Sequence, residues 1–130
     1  MDKQTQTLVQ GYLAKAREKL RVAETLLAGR AFEDAVSRAY YAAFHATQAV
    51  LLTEGLTAGT HQGLVNLFGL HLVKTGKFEA RFGRFLANLK DDREDSDYEV
   101  FAAIDEATAR HAVDEARQLL TAIETYLGAL

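Results

Sequence analysis

Apolar residues recur along this chain at three- and four-residue steps, and almost nowhere in strict alternation. Leu13, Ala16, Leu20, Ala23 and Leu27 make one stripe of a first predicted helix, from about Thr5 to Ala28. A second helix is predicted from Phe32 to Thr53. Its packing side is Phe32, Ala35, Val36, Ala39, Ala43, Ala46 and Val50. A loop from Glu54 to Thr60 follows, with Thr60 as N-cap of a third helix from His61 to Lys74. The fourth helix takes Phe78 to Lys90 and buries Phe78, Phe82, Phe85 and Leu86. The polar run from Asp91 to Glu99 reads as a solvated loop. The last helix takes Asp105 to Leu127, with Ala109, Ala112, Ala116, Leu119, Leu120 and Ile123 inward. Gly29, Gly55 and Gly76 stand where helices should stop. The expected architecture is a single all-α domain over 1–130. It is an up-and-down bundle of four long helices plus one short helix.

Composition supports this reading. The 130 residues contain no proline and no cysteine. The absence of cysteine excludes disulfides, thiolate metal sites and cysteine nucleophiles. No apolar run approaches the length of a membrane span, so no membrane association is expected. The opening Met1–Gln6 is polar and lacks the apolar segment of a signal peptide, which points to a cytoplasmic protein. The net charge of −3 argues against a strongly basic nucleic-acid binder. The negative charge is concentrated, however. Between His71 and Lys90 the bases Lys74, Lys77, Arg81, Arg84 and Lys90 face only Glu79, so a local basic surface is expected there.

The second helix carries the candidate chemistry. Asp34, Arg38, Tyr41, His45 and Gln48 step by four, three, four and three, forming a polar ridge on an otherwise apolar helix. Histidine exchanges a proton near neutral pH. Arginine grips phosphate with paired donors. Together they suit phosphodiester cleavage: His45 moves the proton and Arg38 clamps the phosphate. The same residues have ordinary readings, since Asp34 and Arg38 are spaced as a surface ion pair and a lone helical histidine is commonly structural. Tyr41 shares the ridge and can reach a phosphate. Tyr40, about 100° around the helix, is expected in the core. His61 stands at a helix start, where it either touches phosphate or serves the cap. No metal site or cofactor is expected.

The run SRAYYAAFHATQAVL (Ser37 to Leu51) resembles the second helix of HEPN-domain proteins, which carries an arginine, four to six residues, then a histidine. The likeness continues in YLAKAREKLRVAETLLAGRAFEDAVSRAYYAAFHA, in THQGLVNLFGLHLVKTG and in the Arg93–Asp97–Tyr98 cluster of DDREDSDYEVF. It covers Tyr12 to Leu127. The resemblance implies a helical bundle that forms a homodimer, with arginine and histidine meeting across the axis in a cleft. Many members are metal-independent endoribonucleases, and many are toxins partnered by a nucleotidyltransferase antitoxin. Others bind nucleotides or are inactive partners. Arg38 and His45 take the catalytic positions. By the same resemblance the acidic segment lies near the cleft, where Arg93 adds a phosphate contact and Asp97 either neutralises Arg38 or orients His45.

Two positions depart from the pattern. The residue after the arginine, often Asn, Asp or His in active members, is Ala39. No tyrosine follows His45 closely; Ala46, Thr47 and Gln48 do. Three readings result. The first is an RNA-cutting enzyme. The second is a nucleotide- or partner-binding module that docks a nucleotidyltransferase. The third is a dimerisation domain held by a buried Arg38–Asp97 pair.

Overall fold

The computed structural model describes residues 1–98, 100 and 104–128. It contains α1 (Lys3–Ala28), α2 (Phe32–Thr53), α3 (His61–Phe68), α4 (Ala80–Tyr98) and α5 (Glu106–Gly128). No strand occurs among the described residues. The all-helical bundle expected from the apolar spacing is the observed fold.

Helix α2 is its centre. It packs against α1, α4 and α5, and more lightly against α3. Ala35, Ala39, Ala42, Ala43, Ala46 and Ala49 are fully buried on it. Alanine at these positions lets neighbouring helices approach without displacing side chains. The stripe read from α1 faces inward as expected, with Leu13, Ala16 and Ala23 buried and Leu20 and Leu27 packed at its margin. All six inward positions read for the last helix are buried.

The helix ends follow local chemistry. The Asp2 side chain accepts from Thr5 N at 2.7 Å, so α1 starts two residues earlier than the apolar pattern shows. Thr60 caps α3 as expected, its hydroxyl accepting from Gly63 N at 2.9 Å. Asp105 caps α5 through Thr108 N at 2.8 Å.

After α2 the chain closes a Schellman turn. Leu56 N donates to Leu51 O and Gly55 N donates to Leu52 O, both at 3.0 Å, with Gly55 at φ 72°. The end of α1 has the same turn displaced by one residue. Gly29 has φ −82°, and Arg30 takes the left-handed position at φ 64°. Arg30 is held there by Glu106 at 2.8 Å.

Two elements differ from expectation. The predicted helix from His61 to Lys74 is α-helical only to Phe68. Gly69–Val73 then forms a π-helical turn closed by Lys74 N to Gly69 O at 2.8 Å. The larger correction concerns the acidic run. It is helical as far as Tyr98, continuing α4, and Glu99 lies outside the described residues.

The physical reason is visible in the side chains. Phe82, Leu86, Leu89 and Arg93 are buried at four-, three- and four-residue steps, so the buried face does not end at Lys90. The ion pairs Lys90–Glu94 (2.6 Å) and Arg93–Asp97 (3.5 Å) staple successive turns. A charge-dense segment passes for a loop when one buried position is an arginine.

Candidate functional site

The polar ridge of α2 crosses a partly covered face beside α1. Arg38 is exposed, while Tyr41, His45 and Gln48 are half-buried. Among the described residues Arg38 has no hydrogen-bonded or ionic side-chain partner. The surface pair with Asp34 that the spacing allows is not formed. Asp97 does not reach Arg38 either, because its carboxylate lies 3.5 Å from Arg93. Within one chain, therefore, Arg38 and Asp97 are not paired: Arg38 is exposed and Asp97 lies beside Arg93.

His45 is positioned from two sides. Its Nδ1 lies 2.8 Å from Gln48 Oε1, one turn further along the helix. A carbonyl oxygen only accepts, so this bond places a proton on Nδ1 and leaves the Nε2 lone pair open. The Tyr12 ring of α1 lies nearly parallel to the imidazole, 17° between planes and 6.2 Å between centroids. Burial lowers the His45 pKa below the usual histidine value. Gln48 opposes that shift, and Lys15 and Lys19 of α1 reinforce it. Burial thus favours the neutral imidazole, and Nε2 has no hydrogen-bond partner among the described residues.

Tyr12, Lys15 and Lys19 were not singled out by sequence reasoning. A signal did exist. They recur at three- and four-residue steps on α1, along the margin of its apolar stripe. They bring the positive charge to the ridge. The basic stretch from His71 to Lys90 does so less, because part of it is neutralised: Lys77 pairs with Glu54, Arg81 with Glu79 and Lys90 with Glu94.

His61 and Tyr40 form a second bonded pair. The Tyr40 ring is fully buried, and its hydroxyl lies 2.5 Å from His61 Nδ1. Burial raises the Tyr40 pKa, so the phenol stays protonated. A buried hydroxyl must donate, and the imidazole nitrogen is the acceptor it has. Burial lowers the His61 pKa, with Arg93 and Lys90 acting in the same direction. The Phe44 ring touches both imidazoles, with centroids 5.5 Å from His45 and 4.8 Å from His61. Tyr41 lies 6.3 Å from His45 and 6.2 Å from His61. Tyr41, His45 and His61 thus belong to one aromatic cluster.

Arg93 supports this cluster from within. It is only 6% exposed. Its guanidinium carbon sits 5.1 Å from the Tyr40 ring centroid, 5.7 Å from Tyr41 and 5.8 Å from Tyr98. Its polar contacts are long, 3.5 Å to both Asp97 and the Tyr98 hydroxyl, and its Nε has no partner. Position 39, where the family pattern often has a polar residue, is fully buried. A side chain there faces the core and not the ridge.

On α5, the buried Glu115 lies 3.7 Å from exposed His111, its neighbour one turn earlier. No group of three or more metal-ligating side chains occurs among the described residues.

A helical bundle with an exposed arginine and a half-buried neutral histidine seven residues apart defines a class. The HEPN domain family matches residues 9–126, and the chain belongs to that family. A protein of Methanocaldococcus jannaschii designated a candidate toxin is 36% identical over 98 residues, covering 75% of this chain and 73% of its own. A UPF0332 protein of Thermotoga maritima is 32% identical over 117 residues, covering 90% and 89%. The crystal structure of TT1696 from Thermus thermophilus superposes with a TM-score of 0.78 at 22% identity. It covers 91% of this chain and 97% of its own, and shares the fold.

Proposed function

We propose that this protein is a metal-independent endoribonuclease of the HEPN type, acting at the ridge of α2. The observation that carries the reading is the bonding of His45. Gln48 holds the Nδ1 proton, and the open Nε2 belongs to an imidazole that burial and two lysines keep neutral. That nitrogen takes the proton of a ribose 2′-hydroxyl. The 2′-oxygen then bonds to phosphorus as the bond to the 5′-oxygen breaks. The departing oxygen receives a proton, leaving a 2′,3′-cyclic phosphate and a 5′-hydroxyl. Arg38, exposed and unengaged, holds the phosphate oxygens with paired donors. Tyr41 and His61 contact the substrate from the same aromatic cluster, and Arg93 with Asp97 holds Tyr41 in place.

Single-stranded or looped RNA is the substrate class, because its bases and sugars can turn out into a cleft. The proton that Nε2 took from the 2′-hydroxyl is the one returned to the departing 5′-oxygen, and a homodimer brings two copies of the ridge together around the phosphate. The names of the relatives in Methanocaldococcus jannaschii support a toxin-like role. On this reading a nucleotidyltransferase is the antitoxin partner and the cytoplasm is the place of action.

The test is incubation of RNA with the purified protein in EDTA, beside Arg38→Ala and His45→Ala variants shown to be folded. The reading expects cleavage by the wild type and a loss of at least a hundredfold in both variants. An inert wild type that binds a nucleotide or a transferase would favour the non-catalytic module instead.

A further inference from the structure

Just beyond His45 the ridge ends in a hollow lined by Tyr12, Gln48, Leu51, Leu52, Leu56, Thr57 and Ala58. It offers about 100 Å³ of space, several times the ~10–15 Å³ that one water needs. Its walls are built, not incidental. The Schellman turn after α2 fixes Leu56 against Leu51. The loop is tied down at Glu54 by Lys77 and by the Tyr126 hydroxyl, the latter at 3.4 Å.

Two of the lining residues are also the two that hold His45. Tyr12 presents its ring to the hollow and lies alongside the imidazole. Gln48 uses its carbonyl oxygen on His45 Nδ1, so its amide N–H groups remain to donate to an occupant. Thr57 adds a hydroxyl. The rest is aliphatic.

We propose that this hollow is a nucleobase subsite, holding the base on the 5′ side of the phosphate that is cut. The inference rests on the ribonuclease reading and deepens it. An aromatic wall, an aliphatic floor and amide donors suit a planar heterocycle with a carbonyl or ring-nitrogen edge. The order along the helix also fits. At ~1.5 Å rise per residue, the hollow beside Gln48 and Leu52 lies ~5–10 Å from His45, and Arg38 lies ~10 Å away in the opposite direction. A nucleotide with its base in the hollow places its ribose at His45 and its 3′-phosphate toward Arg38. The 2′-hydroxyl then meets the open Nε2.

The test uses uridine 3′-monophosphate and adenosine 3′-monophosphate as probes, with ribose 5-phosphate as the base-free control. Binding is followed by NMR and calorimetry on the wild type, Ala58→Phe and Thr57→Val, each checked for helicity. At least one nucleotide should bind tenfold or more tighter than the sugar phosphate and shift the Tyr12, Gln48 and Thr57 resonances. Ala58→Phe, which fills the hollow, should abolish that advantage, and Thr57→Val should reduce it. Equal binding of nucleotides and sugar phosphate, or an advantage that survives Ala58→Phe, overturns the proposal. The two readings fail separately. A protein that cuts RNA without base preference loses the subsite and keeps the nuclease. A protein that binds nucleotides in the hollow but cuts nothing loses the nuclease and keeps the subsite.

Discussion

Gln48 Oε1 accepts a 2.8 Å hydrogen bond from His45 Nδ1, and that contact decides which imidazole nitrogen carries the proton. It also opposes the loss of basicity caused by burial and by Lys15 and Lys19. The proposed catalysis needs the neutral imidazole, so the acid limb of the activity profile should lie below the usual histidine value near ~6.5. Gln48→Glu places a negative charge against the ring and favours its protonated form. The acid limb of the pH–rate profile should move up by about one unit. An NMR titration of His45 should show the same shift.

Lys15 and Lys19 lie close enough to His45 to bias its charge, and they have no ion pair among the described residues. On the proposed function they receive RNA phosphates. The double substitution Lys15→Ala, Lys19→Ala should weaken RNA binding. It should flatten the dependence of log K on log salt by roughly 1.4, or ~0.7 per phosphate contact on single strands. It should also raise the His45 pKa. Filter binding across a salt series checks the first effect.

Arg93 is buried against three tyrosine rings, with only long polar contacts. Arg93→Ala should destabilise the fold by about 2–4 kcal/mol through lost packing and lost ring contacts. Arg93→Met, which keeps the stem volume and brings no charge to bury, should cost less than half as much. Urea unfolding of both variants gives the comparison.

Glu115 is 3% exposed, and burial raises its pKa. Asp92 and Asp114 add to that shift, while His111 and a hydrogen bond from Asn88 oppose it. A carboxyl whose folded pKa is raised favours folding below its unfolded value. It opposes folding once the pH exceeds the folded value. Glu115→Gln keeps the hydrogen-bonding shape and removes the charge. Its melting temperature should exceed that of the wild type at pH 7 by about 2–4 °C, with the gain vanishing near pH 4. Thermal unfolding at the two pH values checks the sign.

The sequence was most legible where one rule sufficed. The apolar steps of α1, α2 and α5 were enough to place those helices, because the buried residues there, Tyr40 and Glu115 apart, are aliphatic or small. The ridge was legible for the same reason: Arg38, Tyr41, His45 and Gln48 interrupt an apolar helix at a regular step. Legibility failed where a polar residue does the packing. Arg93 takes a core position, so the helix through Tyr98 looked like a loop. It failed again where two helices meet. Tyr12, Lys15 and Lys19 are unremarkable on α1 and acquire meaning only once α1 lies against α2. The hollow beyond Gln48 likewise needs the folded loop at Gly55 to exist at all.

The central claim is that His45 draws a proton from a 2′-hydroxyl. The most direct measurement is end-group analysis by mass spectrometry of RNA incubated with the wild type in EDTA, beside the same RNA carrying 2′-deoxyribose at the cleaved position. The account predicts a 2′,3′-cyclic phosphate and a 5′-hydroxyl from the all-ribose strand, no cut in the deoxy-substituted strand, and no products with His45→Ala. Cleavage of the deoxy-substituted strand, or a 5′-phosphate on the product, would contradict it.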